Sequence, residues 1–152
     1  MAELIQRNRL ILTAEGAKRI IEGARDHAER MGVPMDIAVV DDGGHLLAFL
    51  RMDGAKITSI DIAINKAFTA AGTRTPTRRY ADIAKAGGPA FGIHTSNQGR
   101  FTIFGGGLPI MLEGHCIGAV GCSSGTAEQD EEAAQAGIDA LLHLLSISKP
   151  NE

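Results

Sequence analysis

Residues 36–52 read DIAVVDDGGHLLAFLRM, and this stretch restricts the fold more than any other part of the chain. Two nearly continuous apolar runs, Ile37 to Val40 and Leu46 to Leu50, are joined by little more than Asp41-Asp42-Gly43-Gly44. A connection between parallel strands takes about a dozen residues or more, so these two must pair antiparallel as a hairpin. An antiparallel strand with one wet face alternates apolar and polar residues. These hardly alternate, so both faces of their sheet should be covered, by helices or by a partner subunit.

Helical periodicity supplies candidate covering layers. Ala17, Ile20, Ile21, Ala24, Ala28 and Met31 follow the spacing of one helix face, with Thr13 placed to cap the start and Gly32 and Pro34 to end it. A second helix is expected from about Thr58 to Ala71, with a main stripe of Ile57, Ile60, Ala63, Ile64, Ala67, Phe68 and Ala71 and a capping pair of Thr58 and Asp61. Its other side, with Ser59, Ile62, Thr69 and Ala70, carries one charge, Lys66. A short helix in TRRYADIAK follows Pro76 and stops before Gly87-Gly88-Pro89. Then come a weak strand around Phe101 to Phe104, a strand from Leu108 to Leu112, a Glu113-Gly114 turn and a strand from Cys116 to Ser123. Gly118 and Gly121 inside that last strand signal a close approach by a helix or another backbone. A helix from Ala127 to about Ser146 closes the chain behind a capping box of Thr126 and Gln129, and Lys149 to Glu152 read as frayed. The order is α-β-β-α-(α)-β-β-β-α, an α+β pattern.

With 152 residues the chain is long enough for one ordinary domain and too short for two, so residues 1–152 are read as a single domain. A net charge of −3 and the lack of a basic patch give no footprint for nucleic acid. No apolar stretch approaches the roughly 18 residues of a membrane span, so neither a membrane partner nor an extracytoplasmic location is expected and the reading is cytoplasmic. Cys116 and Cys122 fall on one strand, roughly 20 Å apart at about 3.3 Å per residue, too far to pair with each other.

The chemistry has to be sought in a few residues. Gly105-Gly106-Gly107 precedes a strand, where a phosphate loop would precede a helix, and no Lys-Ser/Thr follows it. The five histidines never take metal-ligand spacing, so no metal site is expected. His94 is the one histidine in a long polar loop, FGIHTSNQG, the kind of segment that carries function. Arg51 and Asp53 end an otherwise apolar strand, Lys66 is an isolated charge on a helix, and Asp130 falls on the inward stripe of the last helix with Ala134, Ile138, Leu141 and Leu145. Buried charges are paired or functional. The residues therefore allow either internal Arg51–Asp53 and Lys66–Asp130 salt bridges or a pocket. In such a pocket Arg51 or Lys66 receives an anion and a carboxylate orients the cation.

Taken in order, VVDDGGHLLAFLRMDGA at 39–55, KAFTA at 66–70, GGLPI at 106–110 and IGAVGCSSG at 117–125, followed by Glu128 and Asp130, resemble the GlcG/HbpS family, also called the haem-degrading domain family. The resemblance spans about Leu10 to Leu145. It implies a profilin-like architecture, a five-stranded antiparallel sheet flanked by helices, and a homo-oligomer. It also implies that Arg51, Asp53, Lys66, the Gly105 to Pro109 loop and the Ser123 to Asp130 turn border one cavity. The family's Gly-Val-Ser-Gly ending stands here as Gly121-Cys122-Ser123-Ser124-Gly125, with one residue inserted.

Three functions are compatible with this reading. The first is a small-molecule binding protein, with haem or a related tetrapyrrole as the implied ligand, accessory to a metabolic or redox-response pathway. Its ligand-binding residues would be Arg51, Gly105, Gly106, Gly107, Pro109, Ser123 and His94. The second is a cofactor-free isomerase, lyase or hydrolytic deaminase for a small carboxylate, with Arg51 as anchor, backbone N–H groups of the glycines at a developing oxyanion, and Lys66, Asp53 or Asp130 moving the proton. The third is a non-catalytic oligomeric accessory protein.

Overall fold

The computed structural model describes residues 1–148; Lys149 to Glu152, read above as frayed, lie outside the described residues. The helices α1 (Ala14–Met31), α2 (Ser59–Thr73), α3 (Arg78–Ile83) and α4 (Ala127–Ile147) accompany the strands β1 (Asp36–Asp41), β2 (Leu46–Arg51), β3 (Gly107–Leu112) and β4 (His115–Ser123). The strands form one antiparallel sheet in the order β2-β1-β4-β3. None of the described helices is long and apolar enough to cross a membrane.

Local chemistry sets most element ends. The Thr13 hydroxyl accepts from the Gly16 N–H, and Gly32 closes α1 in the left-handed conformation at φ 68°. The Thr126 hydroxyl and the Gln129 side chain satisfy each other's backbone N–H groups at the start of α4, as the capping box requires. Glu113 and Gly114, at φ 50° and 78°, form the two-residue turn between β3 and β4 that matches strand twist.

The sheet is covered on both sides by this chain alone. Ile37, Val39 and Val120 pack with Ile20, Ala24, Ile138 and Leu141 of α1 and α4. Ala38, Val40 and Ala119 face Ala63, Ala67 and Ala70 of α2. Each large aliphatic side chain so buried contributes roughly 1.5–3 kcal/mol. β1 is thus dry on both faces, which is why its sequence does not alternate, whereas β2 is an edge strand and only half-buried. Close approach explains the β4 glycine: a Cβ on Gly121 would stand 2.0 Å from the Ala63 carbonyl oxygen of α2.

Three expectations need correction. The sheet has four strands where five were expected, because Phe101 to Phe104 finds no ladder partner. The Thr102 N–H instead donates to the Thr69 hydroxyl, and Phe101 packs edge-to-face on Tyr80. The buried side of α2 consists of Ser59, Ala63, Lys66, Ala67, Thr69, Ala70 and Ala71, while Ile57 is 72% exposed. A helix lying this close to a strand selects small residues, so the larger apolar side chains turn outward. Thr58 makes no side-chain cap.

Candidate functional site

The carboxyl ends of β2 and β4 and the starts of β1 and β3 meet at one end of the sheet. There Asp36 pairs with Arg51 on one side and with Ser123 on the other, and Gly107 pairs with Gly121. From α2, Lys66 reaches this end with only 1% of its surface exposed. Its ammonium donates to Asp130 Oδ2 at 2.7 Å and to the Cys122 carbonyl at 2.9 Å, and lies 5.1 Å from the centre of the Phe104 ring. Asp130 comes from the first turn of α4 in the opposite layer, and its Oδ1 accepts from the Gly125 N–H at 2.8 Å. Burial pushes the Asp130 carboxyl up from its ordinary value, and the Lys66 ammonium and the Gly125 N–H pull it back.

The glycine run makes this pairing possible. A Cβ on Gly106, which has φ 123°, would stand 2.6 Å from Lys66 Nζ and 2.9 Å from the Asp130 Cβ. On Gly107 a Cβ would stand 2.5 Å from the Lys66 carbonyl. Gly107 also gives its N–H to the Thr77 hydroxyl at 3.0 Å. Its N–H is therefore not free for a ligand, and the run acts as a gap through which the cation of one layer meets the carboxylate of another.

Above the pair lies a cavity of about 270 Å³, lined by Lys56, Ser59, Lys66, Phe104, Ser123 and Ser124 among others. Ser124 has φ 111°, a conformation costly for a residue with a side chain. Its Oγ accepts the Lys56 N–H at 3.0 Å and donates to Asp36 Oδ2 at 3.3 Å. Asp36 is fully buried, and its Oδ1 has no partner among the described residues. Burial raises its pKa, against the pull of Ser124 and Arg51.

The other residues singled out in the sequence are dispersed. Arg51 and Asp53 are exposed and border a separate depression with Arg25 and Glu29, two strands away from β4, and form no ion pair with each other. An arginine at the end of an edge strand has solvent beside it and needs no pocket, which corrects the idea of one cavity shared with Lys66. Pro109 pairs with Ala119 in the β3 edge strand. His94 is exposed in a short 3-10 turn at Ile93–Thr95. Gly105, with Phe104 and Ala127, borders a wider cleft of about 600 Å³ between α3 and α4, which an Arg78–Glu131 ion pair bridges. Asp36 and Lys56 are not among the expected site residues, and Ser124 is expected only as part of the Ser123 to Asp130 turn. The available signals were a carboxylate heading the apolar run Ile37 to Val40 and the inserted serine.

Fold and site together define a class, a helix-covered antiparallel α+β protein with a compact polar cavity over a buried lysine–carboxylate pair. The chain belongs to the family of haem-degrading HbpS-like proteins, whose sequence model matches residues 12–139. It is 42% identical over 133 residues to an uncharacterized 15.0 kDa protein of the dhaT-dhaS intergenic region of Citrobacter freundii, covering 88% of this chain and 94% of that one. Among solved structures it resembles the Klebsiella pneumoniae protein ORFY, with TM-score 0.86, 34% identity and coverage of 92% and 98% of the two chains. It also resembles the PduOC haem complex, with TM-score 0.83, 31% identity and coverage of 86% and 95%.

Proposed function

We propose that the protein binds a compact small molecule carrying an anionic or strongly accepting group in the cavity over Lys66. The observation that carries this reading is the Lys66 ammonium, which has three donors and spends two of them on Asp130 and Cys122. The third, with the Lys56 ammonium and the hydroxyls of Ser59 and Ser123 around the same cavity, suits an acceptor-rich ligand. A volume of about 270 Å³ suits a compact ligand. Binding is favoured over imine chemistry, because an ammonium held in an ion pair with Asp130 has no lone pair to offer a carbonyl. Nuclear magnetic resonance titration with propionate tests the reading. Shifts should cluster at residues 56–66 and 123–130 and weaken at least about fivefold in Lys56→Ala; shifts scattered over the surface, or none, would refute it.

Haem binding is a second reading, supported by the likeness to the PduOC haem complex. The residues lining the Lys66 cavity do not suit haem, since they include no His, Cys, Met or Tyr to ligate the iron. Better-suited residues stand elsewhere, in a depression lined by His115 with Arg7 and Arg9, a ligating imidazole beside two cations of which Arg9 is paired with Asp42. Titration with haemin, followed at the Soret band, should give a spectrum that changes in His115→Ala. An unchanged spectrum would reject His115, and no complex at micromolar haemin would reject the reading.

A further inference from the structure

We propose that Ser124, held by the buried Asp36 behind it, is the specificity-determining acceptor of the Lys66 cavity and selects ligands that place a hydroxyl or ammonium donor beside their anionic group. This rests on the anion-binding reading above and adds what the rest of the ligand must be.

A serine hydroxyl has one proton and two lone pairs, and it ordinarily rotates to suit whatever approaches. Ser59 and Ser123 at the cavity keep that freedom, so neither discriminates. Ser124 does not, because its proton goes to Asp36 Oδ2 and one lone pair takes the Lys56 N–H. What it can still offer a ligand is one lone pair, so it accepts and cannot donate. The backbone there is held at φ 111°, which fixes the position of Oγ. Asp36 needs no counter-ion contact to hold the proton, since an ionised carboxylate is an acceptor only. The cost is an Oδ1 without a partner in a residue with 0% exposure, an arrangement a purely structural role does not explain.

The charged groups around Asp36 keep this polarity in place. Arg51 faces it from β2, Lys56 lies beyond Ser124 in the segment before α2, and the Lys66–Asp130 pair from α2 and α4 is internally neutralised. If Asp36 takes up a proton, it becomes the donor to Ser124, whose own hydroxyl is then released toward the cavity. The preference should therefore disappear at acid pH.

The test compares lactate, propionate and pyruvate by nuclear magnetic resonance titration of the full chain. The three carry the same carboxylate but offer a hydroxyl donor, nothing, and a carbonyl acceptor respectively. Lactate should bind the unaltered protein about fivefold more tightly than the other two, the worth of one ordinary hydrogen bond. Ser124→Gly relieves the strained backbone while removing the hydroxyl, and should bring lactate to the level of propionate. Asp36→Ala, which removes the acceptor of the Ser124 proton, should narrow the lactate preference over pyruvate. Equal binding of all three acids to the unaltered protein, or a lactate preference that survives Ser124→Gly, overturns the proposal while leaving the anion site standing. Failure of all three to bind removes the anion site, and this inference with it.

Discussion

Two buried carboxylates sit at the same end of the sheet and have been given opposite surroundings. Asp130 meets an ammonium at 2.7 Å and a backbone N–H at 2.8 Å, so both of its oxygens are engaged. Asp36 meets one hydroxyl at 3.3 Å and leaves an oxygen unpartnered. The first arrangement ties α2, β4 and α4 together and reads as structure. The second stabilises little for a buried charge, so it is the better place to look for function.

The largest effect should come from breaking the satisfied pair. Asp130→Ala leaves the Lys66 ammonium buried without its counter-ion and should lower the unfolding free energy by about 3–5 kcal/mol in urea titrations. Replacing both partners, Lys66→Met with Asp130→Leu, should recover most of that loss, since a packed apolar pair often matches a buried ion pair. A double variant as unstable as Asp130→Ala would mean that the cation does more than satisfy the carboxylate. Next in size is Gly106→Ala, whose Cβ would crowd Lys66 Nζ at 2.6 Å on a backbone of φ 123°; a loss of about 1–3 kcal/mol is expected, and it should shrink in the Lys66→Met background.

Asp36→Asn should have the smallest effect and a different sign. Because burial raises the pKa of Asp36 in the folded state, the native protein holds that proton more tightly than the unfolded chain. Stability from this group is then present below the unfolded value and lost as pH rises through the folded one. The asparagine variant should flatten that decline with rising pH and equal or exceed the parent at neutral pH, by up to about 1 kcal/mol. Thermal unfolding between the ordinary carboxylate range and neutrality checks it, and a clear loss at neutral pH would assign Asp36 a structural role.

The sequence shows the two kinds of site unequally, and for physical reasons. The ends of α1 and α4 are legible because Thr13, Gly32 and the Thr126–Gln129 box act on their own neighbours. Lys66 and Asp130 are legible because a charge on an apolar stripe needs a partner. Arg51 looks equivalent in sequence, yet it lies on an edge strand with solvent beside it, and strand order is a long-range property. Asp36 escapes notice because a polar residue at a strand start is ordinary until both neighbouring strands and α2 are in place around it. The missing fifth strand is similar, since Phe101 to Phe104 has strand-forming residues but gives its Thr102 N–H to Thr69 and its Phe101 ring to Tyr80, contacts that depend on α2 and α3.

The contact between Gly121 and Ala63 sets a length as well as a packing density. Lys66 starts from the turn of α2 just beyond Ala63 and must pass the sheet edge to reach acceptors on β4 and α4 with a four-carbon stem. Any residue at 121 with a side chain would lift the helix and draw the ammonium back from Cys122 and Asp130. Position 121 therefore governs how far the charge of Lys66 extends into the cavity, through the thickness of the layer and without touching a ligand.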